Sequence, residues 1–282
     1  MRCLLALCFS LLPLGLCAAP MPESRFIETA DGVRIRLVEA GQGRPLILVP
    51  GWTMTAEIWA EQIAAFSGSY HVIAMDPRGQ GQSSKPERGY GSPQRAADIQ
   101  EVIRQLGLQK AVLLGWSLGA VDAVYCLQRY KGEGLAAIVL ADNSVDKHYS
   151  SGQTGARLLA DLESKPYAEV IGAFIPSLFK RPPSPARLAE LQALSLLTPL
   201  DAAKEALSRA TTSKGLAAAL AAAPLPALYL VTPRFAEEGR KLKAALGDSF
   251  QLEIFEHGGH AFFADEAPRF DRILDDFIRQ LP

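Results

Sequence analysis

Ala111-Val112-Leu113-Leu114-Gly115-Trp116-Ser117-Leu118-Gly119-Ala120 is the stretch on which the fold turns. Its first four residues are aliphatic and read as a buried strand, and Leu118–Tyr130 repeats apolar residues at helical spacing. Between strand and helix stands G-x-S-x-G, the pattern of a sharp turn that holds a serine in a strained backbone conformation with its hydroxyl exposed. Gly115 and Gly119 let the neighbouring strand and helix approach where a side chain would collide. A serine at the carboxyl edge of a sheet, above a helix N-terminus, is a candidate nucleophile. The plainer reading is a glycine-flanked turn serine that caps a helix.

Outward from this stretch, short aliphatic runs alternate with helix-period segments, the pattern of βαβ units and a mostly parallel sheet. Expected strands are Phe26–Thr29, Val33–Glu39, Pro45–Val49, Tyr70–Met75, Lys110–Leu114, Ala136–Ala141, Ala227–Val231 and Phe250–Phe255. Asp31-Gly32 between the first two is a hairpin signal and predicts an antiparallel edge. Expected crossover helices are Ala56–Phe66, Pro93–Leu106, Leu118–Tyr130, Phe235–Leu246 and Arg269–Leu281. Between Ala141 and Ala227 no strand pattern appears, only Leu/Ala-rich helical patterns such as Tyr167–Leu178, Pro185–Leu197 and Gly215–Ala222. That block reads as a helical lid inserted between strands six and seven. The expected division is a core of 20–142 and 226–282 with the lid over 143–225.

The chain resembles the α/β-hydrolase superfamily, carried by Val49-Pro50-Gly51-Trp52, Asp76-Pro77-Arg78-Gly79-Gln80-Gly81-Gln82-Ser83, the Ser117 turn and Gly259-His260 in the family's order. It is most similar to the serine esterase and non-haem haloperoxidase-like branch with a helical lid. The resemblance implies an α/β-hydrolase fold, with a mostly parallel eight-stranded sheet and helices on both faces. It further implies that Asp76 and Arg78 are scaffold, and that the backbone N–H of Trp52, after Gly51, donates to an oxyanion. Pro50 replaces the histidine of many relatives, which leaves that donor in place.

A serine hydroxyl needs a base, and the chain offers His71, His148, His257 and His260. His71 opens a predicted strand before the turn and reads as structural, and His148 falls in the first loop of the lid. His257 and His260 both follow the last strand, and the resemblance selects His260, before Ala261-Phe262-Phe263 and a terminal helix. The third member is a carboxylate that fixes the histidine tautomer. Most of the superfamily carries it after strand seven, where Thr232-Pro233-Arg234-Phe235 offers none. Glu237 and Glu238 follow, in a first helical turn where the helix dipole alone explains acidic residues. Asp142, directly after strand six and at the same sheet edge as Ser117, is the preferred acid. Glu237 and Glu238 stay as alternatives, with Asp146 the remaining possibility. Leu118 N–H, next after the serine, is the other expected oxyanion donor. Trp116 and Trp52 read equally as walls of a substrate pocket and as core.

Composition narrows the field of functions. Of 282 residues 49% are hydrophobic and 21% charged, enough apolar surface for a large core and incompatible with a disordered or coiled-coil chain. Lys+Arg 29 against Asp+Glu 30 gives a net charge of −1, and no dense basic stripe suggests nucleic acid as a partner. Met1-Arg2, the apolar run Cys3–Leu16 and the small Ala18 and Ala19 read as a signal peptide over 1–19 and point to a periplasmic or secreted protein. That run is shorter than the ~20 residues of a span and holds Pro13 and Gly15, so no stable membrane insertion is expected. Lipidation at Cys17 is the alternative, opposed by Leu16 where a small residue is needed. Removal of Cys3, Cys8 and Cys17 leaves Cys126, which an apolar helical pattern marks as a buried thiol.

No His/Cys cluster has metal-ligand spacing, and Gly41-Gln42-Gly43 and Gly79-Gln80-Gly81 lack the context of a nucleotide loop, so neither metal nor cofactor is expected. The expected partner is a small-molecule carboxylic ester, thioester or lactone. Epoxide hydrolases and haloalkane dehalogenases are disfavoured because those relatives carry an aspartate where this chain has Ser117. A perhydrolase using the same triad, and a ligand-sensing protein that keeps the fold, are the rival readings.

Overall fold

The computed structural model describes residues 22–145, 152–210 and 215–282. The expected signal peptide, Asp146 and His148 lie outside the described residues. The strands are β1 (Glu23–Glu28), β2 (Arg34–Ala40), β3 (Arg44–Val49), β4 (Tyr70–Met75), β5 (Ala111–Trp116), β6 (Leu135–Ala141), β7 (Ala227–Val231) and β8 (Phe250–Ile254). The core helices between and after them are α1 (Ala60–Phe66), α2 (Ser92–Gln105) and α3 (Leu118–Tyr130). Between β6 and β7 come α4 (Gly152–Ser164), α5 (Tyr167–Ser177), α6 (Pro185–Ser195), α7 (Leu200–Ser208) and α8 (Gly215–Ala222), and α9 (Ala236–Leu246), α10 (Phe262–Asp265) and α11 (Ala267–Arg279) complete the chain.

The eight strands form one sheet in the order β1-β2-β4-β3-β5-β6-β7-β8. β1 and β2 pair antiparallel, as does β2 with β4, and every other neighbouring pair is parallel. This is the expected α/β-hydrolase fold with its antiparallel edge. The hairpin turns at Gly32, whose φ of 77° lies in the left-handed region that glycine enters freely.

Pleating sends successive side chains to opposite faces, so each central strand feeds two cores. Leu46 and Leu48 of β3 pack with α1, α11 and most of the lid, while Ile47 and Val49 pack with α2, α3, α8 and α9. Helix α8 therefore lies on the face opposite the other inserted helices, against α3. Cys126 is buried in that second core, and burial pushes its thiol up to about 12, which leaves it an inert hydrophobe. Parallel pairing brings the carboxyl ends of β3, β5, β6, β7 and β8 to one edge, where the lid stands.

Candidate active site

Strand β5 is wholly buried and is followed directly by Ser117, a non-glycine residue at φ 56° and ψ −120°. The neighbours hold it there: Ser117 N–H donates to Ala141 O at 2.8 Å, and Ala120 N–H returns to Ser117 O at 3.0 Å to begin α3. The two glycines of the turn are required by contact. A Cβ on Gly115 would lie 2.2 Å from Gly119 O, and one on Gly119 2.4 Å from Val49 O.

His260 stands in the loop after β8, with Nε2 2.8 Å from Ser117 Oγ and Nδ1 2.7 Å from Asp142 Oδ2. Asp142 follows β6 directly, is 3% exposed and has φ 47°. Its other oxygen, Oδ1, accepts Thr232 N–H at 2.7 Å. The loop after β7 thus supplies a backbone donor that holds the acid. The structure brings Ser117, Asp142 and His260 together.

The alternative acids go elsewhere. Glu237 is exposed and pairs with Lys241 Nζ at 2.7 Å. Glu238 accepts from Ser144 Oγ and from Val145 N–H, each at 2.7 Å, and so pins the chain leaving β6. His257 is exposed, and His71 Nε2 lies 2.9 Å from Glu39 Oε2.

Leu118 N–H opens α3, where the first turn has no intrahelical acceptors. The facing loop comes from the end of β3. A Cβ on Gly51 would lie 2.9 Å from Ser117 Cβ, so Gly51 is what allows the backbone before Trp52 to reach the serine. Trp52 lines the cavity above Ser117, its ring edge-on to Phe174 at 5.0 Å and its Nε1 donating to Ala203 O at 2.8 Å.

Trp116 does not line that cavity, which corrects one reading of it. It is 1% exposed, packs edge-on against Phe263, and donates from Nε1 to His260 O at 2.8 Å. Its position at the end of β5 sends it to the core beneath the histidine loop, which it holds in place.

Asp265 was not singled out from the sequence. Its buried carboxylate accepts three backbone N–H groups, from Gly259 at 2.7 Å and from Lys180 and Arg181 at 2.8 Å each. Ala261 N–H donates to Leu178 O at 2.7 Å, and a Cβ on Gly259 would lie 2.6 Å from Lys180 N. The histidine loop and the 178–181 stretch of the lid are therefore one hydrogen-bonded unit. An aspartate shortly after Gly258-Gly259-His260 was the signal the sequence offered, and it does not distinguish this role from a helix-terminal acid.

The cavity over Ser117 measures about 940 Å³. Trp52, Leu118, Leu158, Val170, Phe174 and Leu178 give it an apolar wall, and Arg157, Asp161, Lys165, Glu169, Lys180 and Arg234 add charged side chains from the lid and the loop after β7.

The family model of the alpha/beta hydrolase fold matches residues 44–208. The chain belongs to that family. A non-heme haloperoxidase from Rhodococcus erythropolis is 32% identical over 116 residues, 41% of this chain and 42% of the relative. Epoxide hydrolase A from Mycobacterium tuberculosis is 41% identical over 105 residues, 36% of this chain and 32% of the relative. The matched stretch spans less than half the length of either curated relative. Among solved structures, the esterase RhEst1 from Rhodococcus sp. ECU1013 superposes with a TM-score of 0.78 at 26% identity, covering 92% of this chain and 99% of that one. The chain is thus similar in sequence, over part of its length, to a haloperoxidase and an epoxide hydrolase, and in fold to an esterase.

Proposed function

We propose that the protein is a serine hydrolase that cleaves a carboxylic ester, thioester or lactone of a small to medium-sized apolar molecule. The observation that carries this reading is the unbroken chain from Ser117 Oγ to His260 Nε2 at 2.8 Å and from Nδ1 to Asp142 Oδ2 at 2.7 Å. It opens on a cavity with an apolar wall.

The geometry fits acyl transfer. Ser117 Oγ forms a bond to the carbonyl carbon as its proton passes to His260 Nε2, and the carbonyl π pair moves onto oxygen. Leu118 and Trp52 N–H receive that oxyanion. Collapse expels the alcohol or thiol, which takes the proton from Nε2, and leaves an acyl-Ser117. Water, deprotonated by the same nitrogen, then releases the acid and restores the serine. Asp142, with Oδ1 held by Thr232 N–H, keeps Nδ1–H in place and stabilises the imidazolium.

The likeness to an epoxide hydrolase does not extend to this chemistry. A serine alkoxide opening an epoxide would form an ether, which water at an oxyanion site does not cleave. A carboxylate nucleophile would instead form a hydrolysable ester, and position 117 is serine. The haloperoxidase relative supports one second reading, in which hydrogen peroxide intercepts the acyl-enzyme and yields a peracid in place of the acid.

The test is hydrolysis of a p-nitrophenyl ester chain-length series by the protein and by Ser117→Ala. Multiple turnover that disappears in the variant supports the acyl-enzyme, and the chain-length optimum sizes the pocket. Turnover by neither protein, across the series, would sink a general esterase. Peracid formation on adding peroxide distinguishes the second reading.

A further inference from the structure

Gln80 lies in the turn after β4 and is 2% exposed. Its Nε2 donates to Gly51 O at 3.0 Å and to Met54 O at 2.5 Å, the two ends of the turn that carries Trp52 and Thr53. Its Oε1 accepts from Arg95 Nη1 at 2.9 Å. A guanidinium only donates, so Arg95 dictates which end of the amide faces the 51–54 turn. Arg95, on α2 and 2% exposed, is itself directed by Asp122 Oδ2, 2.6 Å from its Nε. Asp122 is fully buried on α3, one helical turn beyond Leu118.

These contacts make a continuous path between the two segments that carry the proposed oxyanion donors. One end is α3, whose first residue is Leu118, and the other is the turn that presents Trp52 N–H. Among the described residues, the other side-chain bonds that tie residues 51–54 to another element run to the lid: Trp52 Nε1 to Ala203 O at 2.8 Å, and Ser195 Oγ to Thr53 Oγ1 at 2.7 Å. Thr53 sits at φ 58°, so the turn holds a conformation that the bare backbone disfavours. A buried ion pair adds little net stability; what Asp122 and Arg95 supply is the direction of the Gln80 amide.

We propose that Asp122, Arg95 and Gln80 form an internal strut that sets the separation of the two oxyanion donors, with Gln80 the positioning residue for Trp52 N–H. The proposal rests on the serine-hydrolase reading for its catalytic consequence, though not for its geometry. A donor displaced by about an ångström loses much of its effect on the developing charge.

Gln80→Glu tests it most sharply. The side chain keeps its shape and its acceptor for Arg95 and loses both N–H donors to the turn. Gln80→Met, of similar length and with no polar end, repeats the test if the first variant does not fold. Kinetics on a p-nitrophenyl ester are read beside hydrogen exchange of the Trp52, Thr53 and Met54 amides, with circular dichroism reporting the fold. The expected result is a kcat lower by about ten- to a hundred-fold with KM within about two-fold, an unchanged shape of the pH profile, and faster exchange confined to 52–54. A folded variant whose 52–54 amides exchange as in the parent overturns the strut, whatever its activity. So does faster exchange with kcat unchanged in an active enzyme. If the parent turns over no ester while the variants still exchange faster at 52–54, the strut stands and the esterase reading falls.

Discussion

Asp142 answers to two groups at once: Thr232 N–H fixes Oδ1 and His260 Nδ1 takes Oδ2, both at 2.7 Å. With one oxygen committed to the backbone, the carboxylate cannot turn away from the imidazole. Asp142→Asn is expected to lower kcat on a p-nitrophenyl ester by about 10³–10⁴, because an amide at this point offers the histidine the wrong partner or tautomer. Glu237→Gln, removing an exposed partner of Lys241, is expected to leave kcat within about two-fold. Steady-state kinetics of the pair decides the matter, and a larger loss in the second variant would move the acid to the first turn of α9. Ser117 was legible from its motif and His260 from the Gly-His before an apolar pair, whereas Asp142 was only preferred over Glu237, Glu238 and Asp146, for its place directly after strand six at the sheet edge of Ser117. Trp116 was not legible, since an aromatic residue beside a nucleophile has the same local signature whether it faces ligand or core. Only the direction of its ring, toward Phe263 and His260 O, separates the two.

At the level of elements, the aliphatic runs of β3 to β7 read correctly because strands largely buried on both faces leave near-continuous apolar stretches, whereas β8, Phe250-Gln251-Leu252-Glu253-Ile254, is mostly half-buried. Helix α8 carried no such information. Gly215-Leu-Ala-Ala-Ala-Leu-Ala-Ala is apolar all round, so nothing in it tells which core it joins. Helix α10, four residues long, is too short for any periodicity, yet it holds the carboxylate that ties the lid to the histidine loop. An anionic acceptor serving three backbone N–H groups makes strong, charge-assisted bonds. Asp265→Asn replaces an accepting oxygen with a donating NH₂, so at least one of Gly259, Lys180 or Arg181 N–H faces another donor. The expected cost is about 2–3 kcal/mol of stability by urea denaturation. It comes with faster hydrogen exchange at Lys180 and Arg181 and a lower kcat, because His260 adjoins the loosened Gly259. Unchanged exchange at 180–181 would show that the lid is held by other contacts.

Across the whole molecule, one contribution to the pH dependence of stability comes from α11, away from the triad. On α11, burial chiefly, with the neighbouring Glu61 adding to it, pushes Asp271 up to about 6 against the opposing hydrogen bond from Gln62. An unfolded aspartate titrates near 3.9. Between about pH 4 and 6 the folded protein therefore keeps a proton that the unfolded chain has lost, and stability falls as pH rises through that window. The contribution is whole below about pH 4 and absent above about pH 6, the reverse of a salt-bridged carboxylate. Asp271→Asn cannot ionise and still offers Gln62 an accepting oxygen, so it should match the parent at pH 4 and exceed it at pH 7. A gain of about 1 kcal/mol at pH 7 is expected once partial solvent access is discounted, read as a rise in Tm. The same shift in Tm at both pH values would mean that the substitution acts through packing. Because Asp271 touches neither the triad nor the cavity wall, kcat and its pH profile should be those of the parent while the Tm at pH 7 rises, which separates an effect on folding from one on catalysis.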